Sequence, residues 1–138
     1  MSAQLPTIIT GVAGEAITQY SVVARDANQL LVVADDPNSA IEFIVGVAQN
    51  AATAAGDQVA VTISGISKAR VGAAALAATA SDLTVAATGE VVARAATATG
   101  AATEQQVGQW LPSPNQVTAA ENDIVDIFVN VIHVRFTI

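Results

Sequence analysis

Cysteine is absent from the 138 residues, which removes disulfides, thiolate nucleophiles and cysteine-ligated zinc or iron–sulfur centres. Stability must therefore come from packing or from association. Aromatic residues make up 4% and charged residues 12% of the chain against 52% hydrophobic, so the apolar content is carried by Ala, Val and Ile. Small and β-branched side chains fill thin layers between strands and leave little material for a bulky-ligand pocket. Long apolar runs are also missing. Thr, Ser, Gln, Asn and Gly interrupt every stretch before the roughly 18 residues that a spanning helix needs, and the chain reads as soluble. Met1 to Pro6 has neither a basic segment nor an apolar one, so no secretory signal is expected. Positive charge is scarce too: Arg25, Lys68, Arg70, Arg94 and Arg135 are scattered, and the formal net charge is −7. Recognition of phosphate backbones needs clustered Lys and Arg, so nucleic acid is not an expected partner, nor is an anionic membrane surface.

What is present is organised around Phe43 to Arg70. Phe43-Ile44-Val45-Gly46-Val47-Ala48 reads as a strand, and Gln58 to Ile66 returns as a second one. There Val59, Val61 and Ile63 alternate with small or polar partners at the period of a half-buried strand. Ala54-Ala55-Gly56-Asp57 supplies the turn, because Gly accepts positive φ and Asp bonds its own backbone. A weaker echo runs from Gly108-Gln109-Trp110-Leu111 through Thr118-Ala119-Ala120-Glu121-Asn122-Asp123 to Ile124-Val125-Asp126-Ile127-Phe128-Val129. Two such units suggest a barrel or sandwich built from related halves.

Residues 1–13 are apolar but unpatterned, with Pro6 opposing helix, and read as a frayed terminus or as an N-terminal arm ordered on a partner's surface, the arm being taken forward; 14–138 reads as a single β-rich domain. Ala16 to Ala24 and Leu30 to Ala34, separated by an Asx turn at Asp26-Ala27-Asn28-Gln29, read as a hairpin. The Ala/Thr/Gly-biased segment 69–103 predicts a turn or two of helix over Gly72 to Ala78. Beyond that it predicts strands at Leu83 to Ala86 and Val91 to Arg94, then a mobile loop over 95–103. In the terminal strand, Val125, Ile127, Val129 and Val131 share one face, after which Ile132, Val134, Phe136 and Ile138 take over. Such a switch predicts a bulge near Val131-Ile132 or a strand that passes from one sheet to another surface.

Catalytic patterns are not evident. A Ser-His-Asp set would have to use Ser64 or Ser67, His133 and Asp126, but Gly65-Ile66-Ser67-Lys68-Ala69 lacks the second glycine of a nucleophile elbow. Lys68, the single lysine, does not follow a phosphate-loop pattern. Asp35-Asp36 before Pro37 reads as a solvated turn, without the ligand spacing of a calcium loop. No cofactor, metal or enzymatic activity is expected.

Gly46-Val47-Ala48 with Ala54-Ala55-Gly56-Asp57-x-Val59-x-Val61, Gly65, Ser81-Asp82-Leu83-Thr84-Val85 with Thr88-Gly89-Glu90-Val91-Val92, and the Gly108 to Ile127 echo together resemble the small Ala/Val/Gly-rich decoration, or cement, proteins of tailed-bacteriophage capsids. The resemblance spans roughly 14–130. It implies an all-β fold with little helix, a compact β-barrel or β-tulip-like domain with an extended N-terminal arm. It further implies a structural virion protein, made in the host cytoplasm, that binds the major capsid protein on the capsid exterior. There it would form homotrimers at three-fold positions and stabilise the shell. The alternative is a head-fibre base or a host-surface adhesin domain. On exposed apolar pattern, the capsid or subunit interface residues are expected to be Leu5, Ile8, Ile9, Ile132, Val134, Phe136 and Ile138; Trp110, the one tryptophan, is counted with them as an interface anchor but reads equally as a core plug.

Overall fold

The computed structural model describes residues 6–34, 43–72, 76–77, 82–85, 89–93, 106–112 and 118–132. Every regular element among them is a strand: β1 (Thr7–Val12), β2 (Val22–Arg25), β3 (Leu31–Val33), β4 (Phe43–Ala48), β5 (Gln58–Arg70), β6 (Leu76–Ala77), β7 (Asp82–Val85), β8 (Val91–Ala93), β9 (Gln106–Trp110), β10 (Thr118–Ala119) and β11 (Ile124–Ile132). All-β is thus the observed class. The predicted helical turn is corrected at Leu76–Ala77, which pairs as a strand with β10. The loop expected at 95–103 lies outside the described residues.

One antiparallel sheet runs β3-β2-β4-β5-β11-β9-β7-β8, with β1 added on β5. Its registers contain a duplication that extends well beyond the echo visible in the sequence. Val12 to Ile8 pair with Gln58 to Thr62, and Arg70 to Ile66 pair with Ile124 to Phe128 in the same order. Val47 and Ala48 face Thr62 and Val61; Gln109 and Trp110 face Phe128 and Ile127. Val23, Ala24 and Arg25 face Val33, Val32 and Leu31, as Leu83, Thr84 and Val85 face Ala93, Val92 and Val91. The connections repeat as well. Ala13 N–H donates to the Asp57 carbonyl and the Ala13 carbonyl accepts from Gly56, while Val71 does the same with Asp123 and Asn122. Positive φ recurs at equivalent places, 97° at Gly56 with 70° at Asn122, and 66° at Gln29 with 80° at Gly89. The first half therefore runs from β1 to the middle of β5, and the second from there into β11.

β5 belongs to both halves: its first part closes one motif and its second part opens the next. Burial alternates along it, with Val59, Val61, Gly65, Ser67 and Ala69 inward and Ser64, Ile66 and Lys68 outward. The first half encloses a core of Ala13, Ile17, Val23, Leu31, Ala48, Ala52, Val59 and Val61. The second encloses Val71, Leu83, Val91, Trp110, Val125 and Ile127, and that cluster also takes in Val22, Ala24, Ile44 and Val47 from the opposite face of the first half. Two layers are thus stacked, with both faces of β2 and β4 buried.

Three expectations are modified. The strand ladder is open and not closed into a barrel: its ends meet through single contacts, such as Val22 N–H donating to the Gly89 carbonyl at 2.7 Å, instead of a continuous register. From Thr7 onward the segment expected as an arm is a strand of the sheet, held because β5 offers it a full antiparallel edge. The expected strand from Ala16 is shortened, since Tyr20 takes φ 67° and the ladder begins only at Val22. The predicted bulge is present. Val129 faces Gly108 and Ile132 faces Gln106, which leaves one extra residue on β11.

Gly46 and Gly108 occupy the same position of the two halves for the same reason. A Cβ on Gly46 would meet the Thr62 carbonyl oxygen, and one on Gly108 the Phe128 carbonyl oxygen, each at 2.0 Å. Backbone held in a ladder cannot retreat by the distance required. Gly46→Ala and Gly108→Ala are each expected to lower stability by about 2–3 kcal/mol, the cost of overpacking an ordered interior, read from the midpoint of denaturant unfolding.

The turn that closes each motif is held by its aspartate. Asp57 Oδ2 accepts from Thr53 Oγ1 and Thr53 N at 2.9 Å each and from Ala54 N at 3.3 Å, and Asp123 Oδ2 accepts from Ala120 N at 2.9 Å. The Thr53 hydroxyl first, then the Thr53 and Ala54 amides, hold the Asp57 carboxyl below the ordinary carboxylate range. A depressed pKa in the folded state adds stability that is fully present above the unfolded-state value and is lost as pH falls through the folded-state value. The wild-type protein should be more stable than Asp57→Asn at neutral pH, with the difference shrinking in acid. Melting temperatures of both proteins across pH 2 to 7 check this.

Candidate interaction surface

Alternation leaves the outward face of the second part of β5 and of β11 uncovered. Across it Ile66 faces Phe128, Lys68 faces Asp126 and Arg70 faces Ile124. Ile66 is 56% exposed, and its equivalent in the first half, Ile8, is 51% exposed. Single exposed apolar residues are ordinary on protein surfaces. The same residue at the same place of both motifs means instead that the fold presents one surface feature twice. The Lys68 Nζ to Asp126 Oδ1 pair, at 3.4 Å with both side chains more than half exposed, is solvated and worth about 0–1 kcal/mol.

Where the halves meet, an open groove of about 270 Å³ is lined by Tyr20 and Gln49 from the first and Ile66, Ser67, Lys68 and Asp126 from the second. Gln49 and Ser67 within it are committed to each other and to the backbone. Gln49 Nε2 donates to Ser67 Oγ at 2.8 Å and to the Val47 carbonyl at 3.1 Å, while Ser67 Oγ donates to the Lys68 carbonyl at 3.0 Å. Gln19 Nε2 reaches the Gln49 carbonyl at 2.9 Å. The Ser67 proton is thus directed at a backbone oxygen and Asp126 at a lysine, so the groove is a seam that fastens the halves. Ser64 faces Asn130 across the ladder. His133 lies outside the described residues.

The expected interface residues fall in different places. Ile8 is exposed on β1, whereas Ile9, one position on, packs against the core of the first half. Trp110 is 4% exposed and fills the interior of the second half where the first half has Ala48, so within one chain it is a plug and not an outside anchor. Ile132 pairs through its backbone with Gln106. Leu5, Val134, Phe136 and Ile138 lie outside the described residues, as does Asp35-Asp36. Sequence reasoning passed over Arg25, Asp82, Gln109 and Phe128, which occupy free faces of the sheet. Aligning the halves would have exposed the first two, because each is a charge on a strand where the other half has valine.

Trp110 Nε1 is buried without an acceptor among the described residues. A buried donor left unpaired costs about 1–3 kcal/mol, which offsets part of what the ring contributes by packing. Trp110→Phe is therefore expected to change stability by less than about 1 kcal/mol, while Trp110→Ala loses about 3–5 kcal/mol. Denaturant unfolding followed by circular dichroism measures both.

The fold defines an all-β protein of two tandem motifs that share a strand, and among the described residues its conspicuous chemistry lies on sheet faces. The same fold over most of its length is found in a solved structure, the head fiber gp8.5 N base of bacteriophage phi29. The likeness has a TM-score of 0.61 at 15% identity and covers 91% of this chain and 95% of that one. No protein-family model matches the chain, and no curated protein matches its sequence.

Proposed function

We propose that this chain is a structural protein of a bacteriophage virion, bound as a homotrimer to the outer surface of the capsid through the major capsid protein. The observation that carries the reading is the fold shared, over nearly the full length of both chains, with a protein whose name places it at the base of a phage head fibre. The sequence resemblance to capsid decoration proteins supports the same location from separate features. A cysteine-free, acidic, small-residue β-protein suits it physically. Many weak contacts repeated on a lattice gain avidity, so each interface can stay modest. In this reading the protein performs no catalysis and binds no nucleic acid or membrane.

Two roles fit that location. As a shell-stabilising cement the chain clamps neighbouring capsid subunits; as a fibre base it anchors an appendage. The solved neighbour favours the second and the sequence motifs favour the first.

Quantitative mass spectrometry of purified particles, giving copies of this chain per major capsid protein, separates them. A ratio near one is the outcome for a cement protein, and a ratio of a few per cent is the outcome for a fibre base. Absence from particles would overturn the virion reading.

A further inference from the structure

The two halves differ in what covers them. In the second half the inward row of Val85, Val107 and Val129 is buried, because the outer face of the first half lies in the same core cluster with Val22, Ala24, Ile44 and Val47. The approach is close. Gly89 accepts a hydrogen bond from Val22 N–H at 2.7 Å, and a Cβ on it would stand 2.8 Å from Val33 Cγ1.

The first half has the same row in the same registers, made of Arg25, Val45 and Ile63. All three are only half-buried. Conversely, Val22, Val47 and Thr62, which form the covered outer face of the first half, correspond in the second half to Asp82, Gln109 and Phe128. Asp82 is exposed and the other two are half-buried, while Thr84 and Gln106 nearby are buried within the chain. Among the described residues, one half thus lacks the cover that the other has, and the other presents an outer face with no half packed on it.

We propose that a second copy of this chain completes both. The outer face of the second half of one copy, Asp82, Gln109 and Phe128, packs on Arg25, Val45 and Ile63 of the next, repeating between chains the contact that joins the halves within one. Charge supports this pairing. Where the internal contact has Val85 on one side and Val22 on the other, the two free surfaces carry Arg25 and Asp82, of opposite sign, and neither has an ion-pair partner among the described residues. Val45, Ile63 and Phe128 supply apolar area between them, with the aromatic ring as anchor. Gln29 stands where Gly89 does in the other half, so the contact between copies is wider than the one inside. The contact joins unlike surfaces, so it is heterologous and passes head to tail from copy to copy, closing into a ring when the rotation allows. It supplies the surface for the self-association proposed above and rests on that part of the reading, not on the capsid attachment.

Light scattering on the purified full chain, away from any particle, tests it. The wild-type protein should have a molar mass that is a small multiple of 13.9 kDa. Arg25→Asp alone and Asp82→Arg alone should each weaken association at least tenfold, and the double variant should restore it. Thermal melting accompanies each variant. Should either reversal fail to fold, Arg25→Gln and Asp82→Asn replace it, with the same direction expected. A one-copy wild-type mass, single variants that associate as tightly as wild type, or a double variant that stays dissociated would each overturn the proposal. Particle mass spectrometry is unaffected by these outcomes, so failure here leaves the virion reading standing on its own test.

Discussion

The continuity of β5 is the constraint on which the rest of the molecule depends. Its first part is the last strand of one motif and its second part the first strand of the next, so two copies of a fold are joined with no linker between them. A shared strand fixes the relative position of the halves as rigidly as a ladder fixes two strands. It places the outer face of the first half over the core of the second, and this stacking buries both faces of β2 and β4. A chain with few aromatics can hold a dry interior on these terms, because layers of Val, Ala and Ile need only short spans to fill.

Duplication also explains where the two halves diverge. The positions that build the motif are kept in kind: glycine where a carbonyl crosses at Gly46 and Gly108, aspartate where the turn closes at Asp57 and Asp123, and aliphatic residues at Val59 and Val125. Other positions, on either face, differ between the halves with their surroundings. Val22 is buried by the second half, while Asp82 at the same place meets solvent. Where the first half has Ala48 the second has Trp110, whose larger ring fills an interior that also receives the first half's outer face. Arg25 and Asp82 follow the same logic, since each stands where the other half has a valine, at a place that the described residues do not cover.

The described residues of this design offer sheet faces more than cavities. The groove between the halves is closed chemically by bonds among Gln49, Ser67 and the backbone, and its one ion pair is open to water. Broad sheet faces suit the proposed recognition of repeated protein surfaces better than capture of a small molecule.

The all-β class, the strands from Phe43 to Ala48 and from Gln58 onward, the hairpin of β7 and β8, and the bulge before Ile132 are local consequences of alternation, turn residues and one change of face, and they are legible in the sequence. So is the echo between the β4–β5 and β9–β11 units. The duplication of β1 to β3 is not, because its equivalents share registers and hydrogen bonds more than side chains: Ala13 matches Val71 and Leu31 matches Val91 through backbone contacts alone. Tertiary structure also decided that Thr7 to Val12 is a strand and not an arm, since only the free edge of β5 gives that unpatterned segment its partners. Whether Trp110 lies inside or outside was settled the same way. An aromatic residue is suited to both places, and only the cover provided by the first half makes this one a core residue. Local pattern determined the strands; which faces they bury was decided by contacts distant in the chain, and those exist only once the two halves are stacked.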